Sequence, residues 1–210
     1  MVPGLRLVFD VGGNQGDYSS ELLRQKPGVR VVIFEPAKKN IDRLRSRFSS
    51  QAGVKIEPAA LGACAGQGVL YANFSGSGIA SLYERNLEHM AIKLSHRETV
   101  VIRTLDEYLS LTDPDGRLDL LKMDIEGAEL DALAGATLLL ERTRAVQFEF
   151  GGCNLDSRTF FRDFWIFFTK RGFQIHRLTP LGPLHLRDYE ERDEAFLTTN
   201  YLALNPKRQS

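Results

Sequence analysis

At 210 residues, with Lys+Arg and Asp+Glu both at 27, the chain has a formal net charge of zero and no positive field to favour nucleic acid or an anionic membrane. Its 43% hydrophobic and 26% charged residues fit one globular domain with a real core, and exclude a disordered or collagen-like chain. Cys64 and Cys153 show neither zinc-site spacing nor disulfide density, no run reaches membrane-span length, and the opening MVPGLRLVFD lacks signal-peptide features, so a cytoplasmic location is expected.

Leu5 to Gly16 (LRLVFDVGGNQG) reads as a strand buried on both faces that ends at Asp10. Gly12, Gly13 and Gly16 then let backbone lie close to a bound molecule. Tyr18 to Gln25 is a helix, capped by Asp17 or Ser19 and stopped at Pro27-Gly28. Val29 to Phe34 is a second strand ending at Glu35-Pro36, and Ala37 to Phe48 has helical spacing at Ile41, Leu44 and Phe48. Pro36 suits that helix's first turn. Val54 to Ile56 begins a third strand, followed by the turn EPAALGACAG with Ala60 and Leu61.

Gly68 to Asn73 and Thr99 to Thr104 are further strands flanking an excursion at residues 74–98. It starts as a Gly/Ser loop and is expected to become a helix near Ser81 to Leu94; it reads equally as a lid and as a plain surface connection. A short helix at Asp106 to Leu111 leads to the turn Asp113 to Gly116 (DPDG). The strand Leu118 to Met123 ends in Asp124-Ile125-Glu126-Gly127, and the helix AELDALAGATLLLER has a break at Gly135. Arg144 to Phe150 is a strand with Glu149 near its end, Thr159 to Arg171 an aromatic helix, and Phe173 to Arg177 and Phe196 to Leu204 the last strands. The alternation predicts an α/β fold. Its form is a three-layer Rossmann-like sandwich, one domain over residues 1–210, with a seven-stranded, mostly parallel sheet and an antiparallel C-terminal strand.

The glycine loop does not meet the GxGxxG fingerprint of dinucleotide folds, and no GK[ST] follows it as a P-loop requires. Its DxGxNxG pattern, Asp10 to Gly16, resembles motif I of class I S-adenosylmethionine-dependent methyltransferases. Glu35, at the second strand's end, can accept hydrogen bonds from both hydroxyls of a ribose. FDVGGNQGDYS, FEPAKKN, RTLDEYL at Arg103 to Leu109 and LDLLKMDIEGAELDALAG at Leu118 to Gly135, in that order, are similar to the FkbM-type methyltransferase family. The resemblance implies S-adenosylmethionine-dependent O-methylation of a small molecule such as a sugar or natural product. The donor would be held by Asp10, Gly12, Asn14, Gly16, Glu35, Pro36, Ala60, Leu61 and Asp124.

An alcohol acceptor must lose a proton, and Asp124, at the same sheet edge as Asp10 and Glu35, is the first candidate for base or orienting residue. Lys122 shares its strand face and is a second catalytic candidate, with Asp124 or Glu149 as ion partner. The structural alternatives are Asp124 merely binding the cofactor's amino group, Glu126 as cap or charge stabiliser of the following helix, and a buried Lys122–Glu149 pair without catalytic role. A metal is not favoured, for want of a third ligand beside Asp124 and Glu149. A noncatalytic S-adenosylmethionine-binding module and a nicotinamide-dependent enzyme are the competing functions. Phe160, Phe161, Phe164, Trp165 and Phe168 share a helical face suited to core packing. The four histidines are scattered, and RDYEERDE at Arg187 to Glu194 reads as a solvated loop.

Overall fold

A computed structural model describes residues 4–112 and 116–208. In chain order the elements are β1 (Leu7–Val11), α1 (Asp17–Gln25), β2 (Arg30–Phe34), α2 (Lys38–Arg47), β3 (Val54–Glu57), β4 (Ala60–Leu61), β5 (Gly66–Ala72), β6 (His96–Arg103) and α3 (Leu105–Thr112). After these come β7 (Leu118–Met123), α4 (Glu129–Ala134), α5 (Thr137–Leu140), β8 (Thr143–Phe150), α6 (Cys153–Ser157), α7 (Phe161–Thr169), β9 (Gln174–Thr179), β10 (Gly182–His185) and β11 (Thr199–Leu204). The expected turn at Asp113 to Gly116 falls mostly on 113–115, outside the described residues.

The main sheet has the order β10-β9-β11-β8-β7-β1-β2-β3. The five strands β3, β2, β1, β7 and β8 run parallel, while β11 lies antiparallel between β8 and β9. It therefore has eight strands where the sequence predicts seven. The additional strand, β10, contains Pro183 and pairs only along β9 at the sheet's edge, where a missing N–H costs no ladder bond. The central strands sit between two apolar layers. Phe9, Phe34, Leu121, Met123, Phe148 and Phe150 face α3, α4, α5 and α7, while Val8, Val31, Ile33 and Leu120 face α1 and α2.

Core packing is the observed role of the aromatic helix. Phe161, Phe164 and Phe168 are fully buried, and Phe164 and Phe168 stack on Phe148 with ring centroids 4.9 and 5.2 Å apart. Phe160, just before the helix, is half exposed. The helical run after β7 does break at Gly135, where a Cβ would lie 2.2 Å from the Gly62 carbonyl oxygen.

Three expectations are corrected. The strands expected at Gly68 to Asn73 and Thr99 to Thr104 form β5 and β6, but these leave the main sheet and pair with β4 in a separate three-stranded one. Between them no α-helix forms at Ser81 to Leu94. Only a 3₁₀ turn at Glu88–Met90 appears, because Ser81, Tyr83 and Arg85 are each drawn to distant partners that outweigh local helix propensity. The run Arg187 to Glu194 is more than a solvated loop: Glu194 accepts the backbone N–H groups of Phe161 and Arg162 at 2.7 and 2.9 Å, satisfying the start of α7. Asp193, buried, is paired with Arg177.

Candidate active site

Strand order reverses between β1 and β7, and the carboxyl ends of parallel strands at such a switch point open a crevice. The loop after β1 is tied into it by backbone: Gly12 and Gly13 both donate to the Phe34 carbonyl, at 3.0 and 3.2 Å, and Asp124 N–H donates to the Val11 carbonyl at 3.1 Å. Gly12 has φ +81°, and a Cβ there would fall 2.0 Å from the Asp124 carbonyl oxygen. Only glycine brings the loop so close to the end of β7.

The crevice encloses a cavity of about 60 Å³ and opens onto solvent. Of the sequence-predicted donor-binding residues, Gly12, Asn14, Glu35, Pro36, Ala60, Leu61 and Asp124 line it. Asp10 and Gly16 do not. Asp10 is wholly buried behind the loop, where Oδ2 accepts from Ser19 Oγ at 2.6 Å and Oδ1 lies 3.0 Å from Lys122 Nζ. Gly16, at φ +86°, leaves room for Phe48 and Leu44, which a Cβ would meet at 2.6 and 2.9 Å. Both positions shape the loop from beneath.

Glu35 is 5% exposed, and both its oxygens are engaged from one side: Oε2 accepts Asn14 N–H at 2.8 Å and Oε1 accepts Ala37 N–H at 2.9 Å. Burial pushes its pKa up to about 7 against the opposing pull of these N–H groups and of Asn40. Asn40, which sequence reasoning missed, also lines the crevice. It is 1% exposed and donates to Asn14 Oδ1 at 3.1 Å, while its own Oδ1 is buried with no partner among the described residues. Its position on the inner face of α2, one turn before Leu44, was the available signal.

Lys122 is not in the crevice lining. Its ammonium is 3.0 Å from Asp10 and 3.9 Å from Asp124, so its main partner is Asp10 rather than Asp124 or Glu149. The aligned register Asp10↔Lys122 explains this, because cross-strand partners point to the same face. Lys122 also stands over the Tyr18 ring at 5.3 Å, and burial with the nearby Asp10 carboxylate pushes the Tyr18 hydroxyl up to about 12.

The turn after β7 separates the two glutamates of the DIEGAEL block. Glu126 (φ +56°) and Gly127 (φ +104°) turn the chain, and it is Glu129, fully buried, whose carboxylate accepts Ile125 and Gly127 N–H at 2.8 and 3.0 Å. Burial raises Glu129 to about 7. Glu126 therefore does not serve the helix start; it is ion-paired with Arg85, whose guanidinium also reaches Asp156 at 3.4 Å. Ser81 Oγ donates to the Glu126 carbonyl at 2.8 Å and the Tyr83 hydroxyl to Asp131 at 2.6 Å. Through these bonds the excursion lies across the crevice, which Ser77, Gly78, Ala80, Ser81 and Leu82 help line. Glu149 lies one rung beyond the register pair Met123↔Phe148, beside Asp124 and, like Lys122, outside the crevice lining itself. Among the described residues no group of three His, Cys, Asp or Glu side chains is placed to hold a metal ion.

Comparisons with known proteins bear on this geometry. Residues 10–175 match the profile of the methyltransferase FkbM domain. "Methyltransferase sdnD" of Sordaria araneosa is 30% identical over 159 residues, covering 64% of this chain and 61% of the relative. "2-O-methyltransferase NoeI" of Sinorhizobium fredii is 23% identical over 154 residues, covering 69% of this chain and 63% of the relative. The chain thus spans about three fifths of the length of the curated relatives it matches. The crystal structure of a methyltransferase FkbM from Methylobacillus flagellatus KT superposes with a TM-score of 0.55 at 18% identity, over 94% of this chain and 43% of that one, a likeness of fold. The β1 loop, the Glu35 strand end and the β7 block that wall the crevice all fall inside the matched segment, and the chain belongs to the FkbM methyltransferase-domain family.

Proposed function

We propose that the chain transfers a methyl group from S-adenosylmethionine to a hydroxyl oxygen of a small neutral molecule such as a sugar or natural product. What supports this reading is the pairing, across one crevice, of the Glu35 carboxylate with Asp124 at the ends of β2 and β7, the two parallel strands that flank β1. Glu35 Oε2 takes only the Asn14 N–H and keeps acceptor capacity for a ribose hydroxyl, while Oε1 takes the Ala37 N–H and, at 3.5 Å, the Asn40 amide, a weak contact that a second ribose hydroxyl can replace. The unpartnered Asn40 Oδ1 is a further buried acceptor in want of a donor, and Phe34, Leu61, Leu70, Ile125 and Ala128 supply apolar walls for a flat base. The residues present therefore fit the donor. When bound it supplies a methyl group on a positively charged sulfur.

Glu35, Asn14 and Asn40 would hold the ribose end, and the loop at Gly12 the methionine end. Asp124, whose side chain is 45% exposed, faces the space left for the acceptor and serves as its base or orienting residue. Lys122 supports both Asp10 and Asp124 by charge rather than by contact with the acceptor. The excursion 74–98 acts as a cover that excludes water and completes the wall. O-methylation is favoured by the likeness to the 2-O-methyltransferase of Sinorhizobium fredii. Calorimetric titration with S-adenosylhomocysteine, followed by transfer of labelled methyl groups to a panel of glycosides, tests the reading. Failure of the wild-type protein to bind the donor or its product removes it, and unchanged turnover in Asp124→Asn removes the role of that residue.

A further inference from the structure

Resting on that reading, we infer that Glu149 is the group that takes the acceptor's proton, with Asp124 beside it orienting the hydroxyl. The two side chains stand at the ends of adjacent parallel strands, one rung past Met123↔Phe148, and cross-strand partners project to one face. On the other side Glu149 is register partner to Asn200 of β11, which is neutral and donates nothing to it; the Asn200 amide oxygen is taken up by Gln147 at 3.1 Å. Among the described residues the Glu149 carboxylate makes no side-chain hydrogen bond and no ion pair, unlike each of its acidic neighbours: Glu126 is held by Arg85, Glu129 by two backbone N–H groups, and Asp124 lies 3.9 Å from Lys122. A proton acceptor needs this freedom, because a carboxylate already saturated with donors is a poor base.

The charges facing Glu149 are the Asp124, Glu126 and Glu129 carboxylates and the Lys122 and Arg85 cations, with the buried Cys153 thiol also close by. Burial first, then Asp124 and Glu126, raise Glu149 to about 7, and Lys122 and Arg85 only partly counter them. A carboxylate so poised is half-ionised at neutral pH and can both take and release a proton there. In the reaction the acceptor oxygen forms a bond to the methyl carbon as the carbon–sulfur bond breaks. The bonding pair stays on sulfur, the hydroxyl proton passes to a Glu149 oxygen, and Glu149 returns it to solvent. The carboxylates around this point also repel an anionic acceptor, which selects a neutral polyol over a phosphorylated or carboxylated one.

The test uses Glu149→Gln, which keeps the shape and removes the base, and Glu149→Asp, which keeps a carboxylate but draws it back. Carboxyl-carbon NMR of glutamate-labelled protein should show a Glu149 resonance, assigned by its loss in Glu149→Gln, that titrates near 7. With labelled S-adenosylmethionine and a panel of methyl hexosides and deoxyhexosides, kcat should rise with pH through that value. Glu149→Gln should lower kcat by about a hundredfold or more and abolish the limb, with donor affinity unchanged by calorimetry, and Glu149→Asp should keep the limb at reduced kcat. A Glu149 carbon titrating in the ordinary carboxylate range, or a limb that survives in Glu149→Gln, overturns the proposal. Absence of donor binding in the wild type would instead remove the methyltransferase reading and leave the NMR titration standing as a separate result.

Discussion

Replacing Glu35 by alanine removes a crevice-lining carboxylate whose two oxygens are both fixed by backbone N–H groups. If a ribose diol donates to it, two charge-assisted hydrogen bonds are lost, each worth about 1.5–3 kcal/mol, so the dissociation constant for S-adenosylhomocysteine should rise by at least about a hundredfold. The same change strands the Asn14 and Ala37 N–H groups, at a cost to folding of about 2–4 kcal/mol, so binding must be measured where the variant is still folded. Wild-type binding should carry a pH signature as well. Free Glu35 titrates at about 7, whereas hydroxyl donors favour its ionised form, so affinity is full above that value and weakens as pH falls through it. Binding just below neutrality should then release up to one proton, visible in calorimetry as a heat that depends on the buffer's ionisation enthalpy. A Glu35→Ala dissociation constant within about threefold of wild type, or a wild-type affinity flat from about pH 5.5 to about pH 8.5, refutes the assignment.

Gly12→Ala meets both an unfavourable φ and the Asp124 carbonyl, so the variant should lose about 3 kcal/mol or more in urea unfolding and show no donor binding. Lys122→Met leaves Asp10 buried and unpaired, at about 3–5 kcal/mol, and adding Asp10→Asn should recover much of it; a Lys122→Met protein as stable as wild type would return Lys122 to the catalytic candidates. Arg85→Gln frees Glu126 and Asp156 together, and amides at 81–92 should exchange faster with donor affinity reduced less than about tenfold; unchanged exchange would show that the pair does not hold the excursion down. Stability should fall with rising pH. Glu35 and Glu129 are each raised from 4.5 to about 7 in the folded chain, so folding favours their protonated forms. That contribution is present below the unfolded value and lost as pH rises through about 7, at about 3 kcal/mol each, and denaturation at about pH 5 and about pH 8 measures it.

The main sheet was legible because its central strands are mostly apolar and alternate with helices of clear period; Val8 to Val11 and Leu118 to Met123 are buried throughout despite carrying Asp10, Asp119 and Lys122. The crevice was legible for the same reason. A strand end followed by Gly12, and another followed by Glu35, place ligand-facing groups by topology alone, and seven of the nine donor-binding positions expected do line it. Asp10 and Gly16 lie outside the lining because motif membership does not tell whether a residue faces the crevice or supports the loop; that depends on Ser19, Lys122 and Phe48, which belong to other elements. β10 was hidden by Gly182 and Pro183, which read as turn residues and are acceptable only at an edge.

The excursion is where local reading failed, and the reason bears on function. Ser81, Tyr83 and Arg85 follow one another at spacing two, as residues of an extended segment pointing one way do, and all three partners lie on the turn and helix after β7. A helix was expected near Ser81 to Leu94 because these tertiary bonds are invisible from within the segment. Glu126 was considered for the helix start, and Glu129 passed over, for the same reason. Three residues apart, they would share a face of a continuing helix, but the left-handed backbone at Glu126 and Gly127 sends one carboxylate under the turn and the other out to Arg85. The turn that begins with Asp124 thus also carries the anchor of the excursion. Arg85 pairs with Glu126 two residues after Asp124, and both acidic residues line the crevice, so the excursion is anchored at the same turn that forms the crevice wall at the end of β7.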